Sequence, residues 1–239
     1  MTADHDPARP SPSGAPLVDL IEVMDVLRRR CPWDRAQTHA SLAPYLLEET
    51  YETLAALDEG DDDAIADELG DVLLQVYFHA RVASERADGF TIDDVASGLA
   101  GKLRRRHPHV FPDAYGQLAT ADTAGDVQVR WEQIKQGERS ADPATTGGVA
   151  DGIPAALPAL ARAQKVLRRL NRRGVDATSL VADSAISGSE PQDDQREQTL
   201  VVGTRLLEIV RAAEASGVDA EGALRLATAE LERAALTDD

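Results

Sequence analysis

Apolar positions recur at helical spacing in several blocks of this chain, and no block shows the strict alternation of a half-buried strand. Leu17, Leu20, Ile21, Met24 and Leu27 form one stripe, closed by Arg28 to Arg30, which suit a helix C-terminus, and stopped by Pro32. A second helix is expected over 42–58, with Ser41 as N-cap, Pro44 in its first turn and Gly60 at its end. A third follows the Asp61 to Asp63 cluster, which serves as cap and as charge against the helix dipole, and ends before Gly89. Thr91-Ile-Asp-Asp94 caps a helix over 92–106, and a further helix carries Val127 to Gln136. The fold class is therefore expected to be all-α, a helical bundle.

Polar positions inside the second and third helices change the picture. Glu48, Glu49 and Glu52 share one sector of the first of the pair, next to an apolar stripe of Leu47, Tyr51, Leu54 and Ala55. On the other, Glu68 and Asp71 stand one turn apart with Gln75 above them, while Ile65, Leu69, Val72, Leu73, Leu74, Val76, Tyr77 and Phe78 cover most of the circumference, the pattern of a buried helix. A solvated face would account for the three glutamates taken alone. It does not account for Glu68 and Asp71, because carboxylates among apolar neighbours are paired, protonated or metal-bound. A connection this short implies an antiparallel pair, so the five carboxylates face one another and call for a divalent cation. Oxygen ligands without His or Cys point to Mg2+, with Mn2+ as substitute. A di-iron bundle would need Glu-x-x-His, where this chain has Glu68-Leu-Gly-Asp71.

EETYE at Glu48 to Glu52 followed by ELGD at Glu68 to Asp71 resembles the EExxE…ExxD signature of the all-α nucleoside triphosphate pyrophosphohydrolases, specifically the MazG branch. CPWD at Cys31, QTH at Gln37, KLRRRHPHVF at Lys102 and WEQIK at Trp131 extend the resemblance, in order, over the first half. It implies a helical homodimer that uses Mg2+ to hydrolyse NTPs or dNTPs to the monophosphate and pyrophosphate in nucleotide-pool house-cleaning. Glu49, Glu52, Glu68 and Asp71 would hold the metal, and Glu48 would orient or deprotonate water. Lys102, Arg106, Trp131 and Lys135 would meet the substrate. Read from position alone, Lys102 and Arg106 equally fit a helix C-terminus, and Trp131 with Lys135 equally fits a core ring with a surface ammonium. Trp33 fits a base pocket and a cap over the core alike. Two other functions compete: a narrower enzyme of the dUTPase or dCTPase kind, and a helical module that binds nucleotide without turnover.

Charge and composition narrow the partners. A net charge of −17 argues against nucleic acid, whose phosphates must be neutralised by Lys and Arg, although a mononucleotide can be carried by metal ions. One cysteine allows no intrachain disulfide, and neither a secretory signal nor a membrane-spanning run is found, so a cytoplasmic location is expected. Residues 1–16 read as a disordered tail, 17–136 as the catalytic domain and 137–153 as a linker.

Residues 154–239 read as a degenerate second copy. VLRR at Val166 echoes VLRR at Val26, and GTRLLEIVRAA at Gly203 echoes GDVLLQVYFHA at Gly70. The copy keeps Leu206, Leu207, Ile209 and Val210 but places Val201 and Thr204 where Glu68 and Asp71 would be, and a mobile segment over 181–198 stands in for the acidic helix.

Overall fold

The computed structural model describes residues 14–112, 119, 123–140, 148–175 and 194–237. The expected tail up to residue 13, most of the loop after Phe111, the middle of the expected linker and most of the segment over 181–198 lie outside the described residues. Among the described residues every regular element is a helix, and none is long and apolar enough to cross a membrane.

The first compact unit, Met1–Gln133, is built on α1 (Ala15–Arg30), α2 (Pro32–Ala36), α3 (His39–Glu59), α4 (Asp62–Ala83) and α5 (Ile92–Arg106), with α6 (Ala124–Ser140) running across its boundary. Helix α3 starts three residues earlier than its apolar pattern suggests. Thr38 is the N-cap, and its hydroxyl accepts from the Ser41 amide while Ser41 Oγ accepts from the Thr38 amide, so the expected cap residue completes a capping box from inside the helix. Pro44 consequently lies within α3. The helix ends at Gly60, whose φ of 77° is the left-handed conformation glycine adopts without penalty. Asp61 then caps α4 through the amides of Asp63 and Ala64. Helix α4 ends at Ala83, ahead of Gly89, where a side chain would drive its Cβ to 1.8 Å from the Ala83 carbonyl oxygen. The stretch after Cys31 forms the short helix α2, started by Pro32 at its first position, so the proline that stops α1 also begins the next turn.

Helices α3 and α4 form the tightest pairing of the unit, and Met24, Leu42, Tyr77 and Phe78 are the core beside it. Arg28 locks the entry to this core. Its guanidinium is buried, pairs with both oxygens of Glu85 at 2.7 and 2.8 Å, and donates to the carbonyls of Asp34 and Gln37. One side chain thus ties α1, the α2 turn, the start of α3 and the end of α4 together.

Two expectations about faces are corrected. The face of α3 turned to α4 carries Leu42, Glu49, Thr53 and Ala56, at steps of seven, four and three residues, while Leu47 and Tyr51 of the apolar stripe remain 58% and 47% exposed. Helix α4, expected to be buried all round, leaves Leu69, Leu74 and Val76 exposed because α1, α3 and α5 cover only part of its circumference.

The second unit, Ile134–Asp239, contains α7 (Ala159–Arg172), α8 (Asp194–Ala215) and α9 (Ala220–Thr237). Leu167, Leu170, Val210 and Ala220 form its core. Gln164, also buried, donates to Glu214 and the Val218 carbonyl and accepts from the Ala220 amide, so one amide side chain satisfies the α8–α9 connection. Arg168 grips the same Glu214 with two bonds of 2.6 and 2.7 Å.

Candidate metal centre

The α3–α4 pairing sets the site because the two helices run antiparallel with the acidic faces inward. Thr53 fixes the local register: its hydroxyl returns to the Glu49 carbonyl at 2.7 Å and reaches the Glu68 carbonyl across the pair at 3.4 Å. At this level one carboxylate oxygen from each of Glu49, Glu68 and Asp71 lies within 4.8 Å of the others, the one such group among the described residues. All three side chains are half-buried.

The electrostatics of the group are those of an anionic cluster. Burial holds the Glu49 carboxyl above the usual range, helped by Asp71, by Glu52 (which also shares a hydrogen bond with it) and by Glu48. The Glu68 carboxyl is raised in the same direction, by burial first, then by Glu52, Asp71 and Asp67. Every ionised neighbour named for these two groups is another acid. Glu68 Oε2 is buried and has no hydrogen-bond partner. Like charges held this close, with one oxygen stripped of water and unpaired, are costly unless a cation sits between them. The donor set is all oxygen, which fits a hard divalent cation rather than zinc or copper. Glu52 belongs to the same cluster by its coupling to both glutamates, although its side chain is exposed; Glu48 is exposed one residue away.

The residues expected to meet substrate divide. Arg106 lies over the Trp131 ring, 5.6 Å from its centroid, so the end of α5 and the middle of α6 are joined by a cation–π contact. Lys102, one turn earlier on α5, is exposed. The Lys135 side chain lies outside the described residues. Trp33 meets Tyr45 and Phe78 edge-on, at 5.8 and 6.3 Å, and stays half-exposed, combining a packing role with an open face.

One pair escaped the sequence reading altogether. His39, at the start of α3, and His79, near the end of α4, stack with planes 2° apart and share a 2.8 Å contact between their Nδ1 atoms. Burial, then the charge of His39, holds the His79 imidazole below its ordinary value, and its Nε2 is buried without a partner. His39 was visible only as part of QTH, and nothing local links it to a residue forty positions on.

Residues 37–111 match the MazG nucleotide pyrophosphohydrolase domain model, a span that includes all five acidic candidates. The chain is 39% identical over 227 residues to the nucleoside triphosphate pyrophosphohydrolase of Escherichia coli K12, covering 90% of this chain and 83% of that protein. It is 39% identical over 217 residues to the nucleoside triphosphate pyrophosphohydrolase/pyrophosphatase MazG of Thermotoga maritima, covering 88% and 80%. A 26.1 kDa protein of Streptomyces cacaoi is 43% identical over 215 residues, covering 90% and 78%. With a match to the domain model over the acidic helix pair and a similarity to named relatives that spans both units, this chain belongs to the MazG nucleotide pyrophosphohydrolase family.

Proposed function

We propose that this protein hydrolyses nucleoside triphosphates, ribo- or deoxyribo-, to the monophosphate and pyrophosphate with the aid of Mg2+, removing unwanted nucleotides from the cytoplasmic pool. The observation that carries the reading is the convergence of Glu49, Glu68 and Asp71 within 4.8 Å on the facing sides of α3 and α4. Glu49, Glu52, Glu68 and Asp71 hold the cation, and the raised carboxyl groups of Glu49 and Glu68 are the electrostatic strain that its binding relieves. When bound, Mg2+ supplies charge neutralisation at the phosphate oxygens and acidifies a water ligand. Glu48, exposed beside Glu49, orients or deprotonates the attacking water in this reading. Lys102 and Arg106, together with Lys135, neutralise the charge that grows on the leaving pyrophosphate, and Trp131 holds Arg106 through its ring face.

The protein acts as a homodimer in this reading. Leu47, Tyr51, Leu69, Leu74 and Val76 flank the acidic helix pair and are left exposed within one chain, and a second copy is the economical cover for them. Residues 154–239 are a catalytically silent second repeat. The third residue of each VLRR string pairs with a glutamate, Arg28 with Glu85 just past α4 and Arg168 with Glu214 near the end of α8, while Val201 and Thr204 replace the acids.

Chromatography of the products formed from a panel of NTPs and dNTPs with and without Mg2+ tests the reaction. Monophosphate and pyrophosphate are expected only with the metal. Diphosphate with orthophosphate, or nucleotide binding with no product, overturns it.

A further inference from the structure

Gln75 is the one buried amide on the acidic face of α4. It follows Asp71 by four residues and Glu68 by seven, which places it in their sector, and it is only 4% exposed. Its Oε1 is buried and accepts no hydrogen bond among the described residues. Buried side-chain acceptors nearly always have a partner, and elsewhere in this chain Gln164, equally buried, has partners at both ends of its amide. The contrast marks Gln75 as an amide whose partner comes from outside the fold.

The register says what surrounds it. Glu49 meets Asp71 in the acidic group and His39 meets His79, so an antiparallel pair sets Tyr45, one turn before Glu49, level with Gln75. Tyr45 and Phe78 both meet the half-exposed Trp33 edge-on. Gln75 therefore stands between a carboxylate cluster on one side and an aromatic group on the other, about 6 Å along the helix axis from Asp71. A metal-held phosphate, a polar sugar and an aromatic base succeed one another in the same order in a nucleotide.

Resting on the hydrolase reading above, we infer that Gln75 is a specificity-determining residue: its Oε1 accepts a hydrogen bond from the nucleoside portion of the substrate, from either a sugar hydroxyl or a base N–H. Buried polar groups that await a ligand discriminate strongly, because an analogue lacking the donor leaves them unpaired.

The test separates nucleoside from phosphate recognition without requiring turnover. Affinities of the wild type and Gln75→Met are measured in Mg2+ for inorganic tripolyphosphate, for α,β-methylene adenosine and uridine triphosphates, and for their 3′-deoxy analogues. Tripolyphosphate affinity is expected to hold within twofold, and the nucleotide affinities to fall tenfold or more. A penalty that disappears for the 3′-deoxy analogues assigns the donor to the sugar; one that persists but differs between adenine and uracil assigns it to the base. Equal losses for tripolyphosphate and nucleotide would make Gln75 a support of the metal group, and no loss would make it a packing residue; either overturns the inference, as does a wild type that binds no nucleotide. Should Gln75→Met fail to fold, Gln75→Asn, which withdraws the amide by one methylene, is expected to show the same split. Hydrolysis by the wild type is assayed separately, so a protein that binds nucleotide through Gln75 without cleaving it sinks the hydrolase reading alone.

Discussion

Glu49 and Glu68 are carboxyl groups whose ionisation the fold resists, and the sign of that resistance is open to measurement. Their carboxyl groups are raised, so their contribution to stability is fully present below the unfolded value of about 4.5 and is lost as pH rises through the folded values. At neutral pH without metal, Glu49→Gln is therefore expected to hold or raise the thermal midpoint. In saturating Mg2+ the same variant should lose more than the roughly tenfold to hundredfold that even a supporting contact to a metal ligand is worth. Calorimetry of the apoprotein and a pyrophosphate-release assay together check both halves, and near-normal turnover would remove Glu49 from the metal site. The histidine pair works in the opposite sense. His79 is held below its ordinary value by burial and by His39, so below about pH 6.5 the unfolded chain takes up the proton that the folded one refuses, and stability declines on acidification. His79→Phe keeps the stacked ring and removes the proton site. Urea midpoints at pH 7.5 and 5.5 should differ less in this variant than in the wild type; an unchanged difference would show that other groups carry it.

Individual helices are stabilised here by caps, but their mutual placement depends on few polar clamps. Arg28 is the clearest, because a single buried guanidinium serves Glu85 and two carbonyls from three segments. The pairing holds Glu85 below the usual carboxylate range, through its hydrogen bond to Arg28 first and the charges of Arg28 and Arg81 after it. That contribution is present at neutral pH and is lost as pH falls through the folded value. Arg28→Met fills the space but leaves both carbonyls and Glu85 unpaired. A loss of about 2–3 kcal/mol is expected, below the full figure for a buried pair because Glu85 is partly exposed. Chemical denaturation at neutral pH measures it, and a loss under about 1 kcal/mol would show that the clamp is dispensable.

For the whole molecule, the division into two compact units and the position of every carboxylate candidate in the first have a direct consequence. A fragment of residues 1–153 is expected to fold, to keep the dimer proposed for the full chain through the exposed apolar positions of α3 and α4, and to hydrolyse NTP in Mg2+ at a rate within about tenfold of the full chain. Light scattering and the release assay read the two properties. A folded fragment that binds nucleotide and metal yet turns nothing over would place part of the active site beyond residue 153, and a monomeric active fragment of a dimeric full chain would transfer the dimer contact to the second half.

Helix content, the tight connection at Gly60 and Asp61, the Thr91 cap and the pairing of acids at Glu49, Glu68 and Asp71 were legible from local spacing alone. The helices and caps depend on residues within a turn or two of one another, where backbone geometry leaves little choice, and the meeting of Glu49 with Glu68 and Asp71 adds only that a connection as short as Gly60–Asp61 makes the two helices antiparallel. Which stripe of α3 would face α4 was a different matter. By hydropathy Leu47 and Tyr51 should have been covered, yet the chain turns Glu49 and Thr53 inward and leaves those apolar residues outside, because the register of the helix pair, which hydropathy along one helix does not fix, decides which stripe is covered. The stacked His39 and His79, the Arg28 clamp and the unpaired Gln75 oxygen are likewise decisions of the tertiary structure. Forty and fifty-seven residues separate the partners of the first two, and a polar atom is known to lack a partner only when all its neighbours are in place.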